Sequence, residues 1–193
     1  MRELFGRATV RASGQRGYSL IEMMFVVGIL GVVTSVAVLQ IGASRKGLQG
    51  DGGLRVVLWN LNTAREMAIS QRKYMRVQFT APSSVQVIRE DTTTTTSTIY
   101  NIPFEGGIKY TLISGLPDTP DAFGDSAAIN VGTAVNTKFA PDGTLVNENG
   151  QVINISVFLA LTGESLSARA VTVLGSTGRV RGYRWNGKAW VVV

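Results

Sequence analysis

The sequence predicts an α+β chain: a long N-terminal transmembrane α-helix, then a short helix, then a C-terminal antiparallel β-rich globular domain. Three observations carry that prediction. Met23 to Ser44 holds no charge and no proline and is rich in Val, Ile, Leu and Met. From Leu54 onward apolar residues recur at three- and four-residue steps. From Tyr74 the period shortens to the alternation of strands, with turn residues between the runs.

The 193 residues include no cysteine and no histidine. That excludes disulfides, thiol nucleophiles, Cys/His zinc sites and imidazole acid–base catalysis, and no metal site or cofactor is expected. Formal net charge is +6. Four arginines and one glutamate in the first 17 residues supply half of it, so the remainder is only mildly basic. A general affinity for nucleic acid does not follow from that balance, and local clustering has to carry any such argument.

The first element begins with a short basic leader, Arg2, Arg7, Arg11 and Arg16 against Glu3. The uncharged run behind it is long enough for a helix across a hydrocarbon core, which takes roughly 20 residues. The arginine-rich side is expected to stay cytoplasmic. An ordinary secretory signal is cut after its apolar region at small residues, and only Gly42-Ala43-Ser44 offers a weak site of that kind. Glu22 lies inside the apolar segment, where a carboxylate costs roughly 2.5–3.5 kcal/mol and usually has a partner.

Arg16-Gly17-Tyr18-Ser19-Leu20-Ile21-Glu22, with the leader and the apolar run, resembles the class III signal of type IV pilins and type II secretion pseudopilins. The resemblance implies that prepilin peptidase cuts after Gly17 and that Tyr18 becomes a methylated N-terminus. It also implies that Glu22 pairs with the terminal amine of a neighbouring subunit, setting register as buried charge pairs do elsewhere. Tyr18 stands where that family usually has Phe. Gly28 and Gly31 offer a weak signal for close helix approach.

Residues 47–53, with Gly47, Gly50, Gly52 and Gly53, read as a flexible link, because each glycine in a helix costs about 1 kcal/mol against alanine. Leu54 to about Lys73 reads as a second helix with Leu54, Val57, Leu58, Leu61, Ala64 and Ala68 on one face and Arg55, Arg65, Arg72 and Lys73 largely elsewhere. The expected organisation is a leader at 1–17, a transmembrane helix at 18–46, a link at 47–53 and a periplasmic domain at 54–193.

In the domain, Tyr74–Thr80 and Val85–Glu90 read as a hairpin across Ala81-Pro82-Ser83-Ser84, followed by a threonine-rich turn at 91–96. Thr98–Ile102, Ile108–Ile113 and Ala128–Gly132 are weaker strands, with a Pro/Gly loop at 115–121. Thr137–Ala140 leads into the turn Pro141-Asp142-Gly143, and Val152–Leu161 reads as a long buried strand. Ala170–Leu174 and Arg179–Trp185 flank Gly175-Ser176-Thr177-Gly178, and Asn186-Gly187 marks a last hairpin before Ala189–Val193. Ala64-Arg65, Ala68-Ile69, Arg72-Lys73, Phe139-Ala140-Pro141-Asp142-Gly143 and Thr177-Gly178-Arg179 resemble the GspH/FimT branch of these proteins.

No enzyme chemistry is expected. Asp118, Asp121 and Asp125 lie in a loop without calcium-loop spacing and read as solvated carboxylates. The one chemical cluster is Gly178-Arg179-Val180-Arg181-Gly182-Tyr183-Arg184-Trp185 with Lys188 and Trp190. Alternation places Arg179, Arg181, Tyr183 and Trp185 on one strand face, and a bulge at Gly182 is expected to bring Arg184 round to it. Guanidinium groups suit phosphates and aromatic rings offer stacking platforms. The Gly-Arg-x-Arg pattern resembles that of FimT-type minor pilins tied to DNA binding in natural transformation. A solvated sheet face is the other reading of the same residues.

Three functions remain open at this point: a minor pseudopilin or pilin supporting protein secretion or a type IV pilus, a DNA-binding minor pilin using Arg179, Arg181, Arg184 and Lys188, and a single-pass anchor for an unrelated β-domain. The partners implied by the resemblance are prepilin peptidase, other pilins or pseudopilins in a filament, the inner membrane and, for the second function, DNA.

Overall fold

A computed structural model of the chain describes residues 17–92 and 95–193, with backbone only at 38–44. Of the expected leader only Gly17 falls within the described residues. The chain divides into two compact units, Met1–Ile41 and Gly42–Val193.

The helix α1 spans Leu20–Gln71. In the first unit its side chains from Leu20 to Ala37 are exposed and apolar apart from Glu22, Thr34 and Ser35. Those 18 residues are apolar and long enough to cross a membrane. The two hydroxyls in the segment bond inside the helix: Thr34 Oγ1 donates to the Leu30 carbonyl at 2.6 Å and Ser35 Oγ to that of Gly31 at 2.7 Å. Neither brings an unpaired polar group into the apolar stretch.

In the second unit, the glycines expected to form a link at 47–53 are helical instead, and residues 54–71 continue the same element. The reason lies in packing. A Cβ on Gly50 would run into the backbone carbonyl of Ser167, and one on Gly53 would stand 2.8 Å from Ile108 Cγ2. Glycine allows the helix to lie directly on the chain at these positions, and tertiary contact outweighs its weak propensity.

Eleven strands follow among the described residues. β1 (Met75–Thr80), β2 (Ser84–Glu90), β3 (Thr96–Pro103), β6 (Thr137–Phe139) and β7 (Leu145–Val146) form one antiparallel sheet, ordered β3-β2-β1-β6-β7. β4 (Lys109–Tyr110), β8 (Ile155–Leu161), β9 (Glu164–Leu174), β10 (Arg179–Trp185) and β11 (Trp190–Val192) form the other, ordered β11-β10-β9-β8-β4, with β5 (Ile129–Asn130) also on β8.

The main core holds Leu54, Val57, Leu61, Ala64 and Ala68 of α1 against Met75, Val77, Val85, Val87 and Phe139 of the first sheet. Ile155, Val157, Leu159, Val171 and Val173 of the second sheet complete it. The other face of the second sheet carries Phe158, Ala160, Ala168, Ala170, Tyr183, Trp185 and Trp190, covered by Leu112, Ile113 and Leu116. β8 is buried on both faces, which explains a run that is apolar except for buried Ser156.

Several expected boundaries move: Thr98–Ile102 lengthens to Thr96–Pro103, Ala128–Gly132 shortens to Ile129–Asn130, and three others shift for visible reasons. Ile108–Ile113 keeps only β4, because the chain then leaves the sheet edge to cover that outer face. β9 starts six residues before Ala170, since Arg169 pairs with Leu159 and, across a register shift, Glu164 with Leu161 of β8. The strand expected from Val152 begins at Ile155, with Val152 held only by an isolated bridge to Val146.

Candidate functional site

The N-terminal segment is built from its cap inward. The Met23 amide donates to the Ser19 carbonyl at 3.1 Å, which makes Ser19 the cap and puts Glu22 in the first helical turn. Ser-x-x-Glu is the capping-box pattern, and a carboxylate is favoured at the positive end of a helix. Gly17 and Tyr18 precede the helix in exposed chain outside any regular element. A Cβ on Gly28 or Gly31 would meet nothing within 4 Å, leaving both helix positions open to another surface.

The arginine strand is arranged differently from the expectation. β10 pairs with β9 in unbroken register through Gly182 opposite Val171, so there is no bulge. A Cβ on Gly182 would stand 3.0 Å from Leu58 Cδ1, and the glycine serves the close seat of α1 on the sheet. Arg184 therefore stays on the face opposite Arg181. Arg181 Nη1 donates to Asp121 Oδ1 at 2.9 Å, while the hydroxyls of Tyr183 and Thr172 donate to Asp121 Oδ2 at 2.8 and 2.6 Å. Burial pushes the Asp121 carboxyl upward, but those bonds and the Arg181 charge outweigh it and hold the carboxyl below its ordinary value. Tyr183 and Trp185 are buried rather than offered for stacking. Arg179, Arg184 and Lys188 are exposed.

The loop carboxylates do not act as a solvated trio. Asp118 accepts from the amides of Thr119 and Gly124 at 2.6 and 2.8 Å, Asp121 straps the loop to β9 and β10, and Trp190 Nε1 donates to the Pro117 carbonyl at 2.7 Å. This is what closes the covering loop over the aromatic residues of the second sheet.

A further junction gathers scattered residues. Arg65 donates to the carbonyls of Thr177 and Gly143, at 3.0 and 3.3 Å. Gly178 and Gly143 both sit at positive φ, 62° and 85°, and a Cβ on Gly178 would collide with the Gly143 carbonyl. The Pro141-Asp142-Gly143 and Thr177-Gly178-Arg179 turns are thereby packed on one helical arginine.

Residues 12–38 match the prokaryotic N-terminal methylation motif. The chain carries a prepilin-type signal. No curated protein matches it. Among solved structures, the type IV minor pilin FimU of Pseudomonas aeruginosa (strain PAO1) is similar at 13% identity and a TM-score of 0.47, over 77% of this chain and 93% of that one. That likeness is too distant to bear on function.

The prepilin-type signal covers Gly17, Tyr18 and Glu22, and it marks a structural subunit rather than an enzyme. It implies processing by prepilin peptidase and assembly with other pilins, and its apolar helix is consistent with anchoring in the inner membrane. Two groups went unnoticed in the sequence. Arg169 is fully buried, and its only signal is one arginine inside the alternating run of β9. The second is a cluster of cations beside the end of α1, drawn from Arg72, Lys73, Arg76, Arg89 and Lys138. Its members come from the turn after α1 and from β1, β2 and β6, and no single spacing links them.

Proposed function

We propose that this chain is a minor pilin or pseudopilin subunit of the GspH/FimT type, serving a type II secretion pseudopilus or a type IV pilus. The observation that supports it most is the coincidence of the methylation motif with a capped helix start at Ser19-Glu22 and an apolar segment exposed on all sides. Prepilin peptidase removes residues 1–17, Tyr18 is methylated, and the domain lies on the periplasmic side. Glu22 pairs with the terminal amine of a neighbour as the helix moves from the membrane into the filament core. A charged pair removed from water specifies register because an unpaired member is costly.

The nucleic-acid alternative now rests on Arg179, Arg184 and Lys188, because Arg181 is neutralised by Asp121 and the rings beside it are buried. The test is filament incorporation. A Glu22→Ala chain should be cut at Gly17 as the unchanged chain is, yet be missing from sheared filaments. A Glu22→Ala chain incorporated at the normal level would remove the assembly role from Glu22. A chain never cut and held in the membrane would favour a simple anchored β-domain.

A further inference from the structure

A pocket of about 540 Å³ opens where the end of α1 meets the ends of β1, β2 and β6. Arg72, Lys73, Arg76 and Lys138 line it against two carboxylates, Glu90 and Asp91, and Arg89 adds a fifth cation through its bond to Asp91. Both carboxylates are already taken. Glu90 Oε1 accepts from Arg76 Nε and Nη2 at 3.0 and 2.6 Å, and its Oε2 from Lys138 Nζ at 3.2 Å. Asp91 Oδ1 accepts from Lys73 and Arg89 at 2.9 and 2.7 Å, and its Oδ2 from Ser97 Oγ at 2.7 Å.

Those bonds keep the acids ionised. Hydrogen bonds from Ser97, Lys73 and Arg89 hold Asp91 far below the usual carboxylate range. At Glu90, burial pushes upward but the bonds from Arg76 and Lys138 prevail. The cations are not used up in return. Arg76 Nη1 and the entire Arg72 guanidinium have no protein acceptor among the described residues. Lys138 shares its ammonium between Glu90 and the ring of Tyr74, 4.6 Å away. Five cations against two carboxylates leave three positive charges in excess, with spare donors on more than one side.

From this geometry we infer that the pocket is a binding site for a dianionic phosphate group. Guanidinium and ammonium donors converging from a helix end and two strands suit a tetrahedral oxyanion, and the positive surplus favours a multiply charged anion. The volume leaves room for the substituent that bears the phosphate. The fixed carboxylates hold Arg76, Lys73 and Lys138 in place, so less side-chain freedom is lost when the ligand arrives. This site lies on the sheet that does not contain β10, and it does not depend on how the N-terminus is processed.

Arg72 gives the cleanest test, since it has no partner whose loss would unfold the chain. Calorimetric titration of the full chain in an uncharged detergent with pyrophosphate, and separately with inorganic phosphate, should show saturable binding above a chloride control of equal ionic strength. Arg72→Gln should weaken it by about tenfold, the order expected for one charge-assisted contact, without lowering the melting temperature. Arg184→Gln, on the other sheet, should leave it unchanged. No saturable binding, or equal weakening by Arg184→Gln, would overturn the assignment. Binding of a glutamate-rich peptide but not of pyrophosphate would do the same, and would make the patch a protein-docking surface.

Discussion

Buried Arg169 sets its Nε 2.7 Å from the carboxylate of Asp51, a residue 118 positions away in the chain. The same guanidinium donates to the carbonyls of Gly47, Leu166 and Ala168 at 2.7, 3.0 and 2.8 Å. One side chain thus ties the glycine-rich part of α1 to β9. Removing the counter-charge should be costly, because Arg169 would remain buried without its anion. Asp51→Ala is expected to destabilise by about 3 kcal/mol, at the low end for buried pairs because Asp51 is partly exposed. That corresponds to a melting temperature lower by roughly 6–12 °C, measured on the full chain in detergent.

The glycines of that helix should respond with opposite signs. Nothing lies within 4 Å of a Cβ placed on Gly52, so Gly52→Ala should stabilise by about 0.5–1 kcal/mol through helix propensity. Gly50→Ala drives its methyl into the Ser167 carbonyl and should destabilise despite the same gain in propensity. Comparing the two melting temperatures checks this, and two variants shifting together would contradict it.

The contrast also shows where sequence reading succeeds and where it stops. The apolar face of α1 at Leu54, Val57, Leu61, Ala64 and Ala68 was legible because its period reports burial directly. The strand Arg179–Trp185 was legible to the residue, since turn signals bound it on both sides. The helical state of 47–53 was not, because it depends on Ser167 and Ile108, which no local pattern connects to those glycines. At the candidate site, Gly17, Tyr18 and Glu22 lie inside the contiguous stretch 12–38 that matches the methylation motif, a pattern local enough to be visible in sequence. Arg181 was read as a free cation because its partner, Asp121, sits 60 residues earlier in a loop.

Arg65 should not tolerate its usual substitute. Its two carbonyl contacts need a planar fork, and a lysine supplies only a single point of donation. Arg65→Lys is expected to lose about 1–2 kcal/mol, the scale of one or two charged hydrogen bonds, in a thermal or urea melt. Proteolysis should then speed up at the Pro141–Gly143 and Gly175–Gly178 turns.

Asp121 links the covering loop to pH. Its folded carboxyl is held below the ordinary 3.8, so its contribution to stability is present above that value and is lost as pH falls through the folded pKa. Trp190, tethered to Pro117 in the loop, should therefore change its fluorescence below about pH 4. Asp121→Asn should shift that change toward neutral pH or abolish it. It leaves Arg181 without its counter-charge and alters the acceptor of two buried hydroxyls.

The mature N-terminus tests the central claim most directly. The chain should be isolated from its own membrane or filament fraction and its terminal peptide examined by mass spectrometry. The proposed function requires a chain that starts at Tyr18 and carries one methyl group on its amine. A chain that still starts at Met1, or one cut after the apolar helix near Ser44, would contradict it.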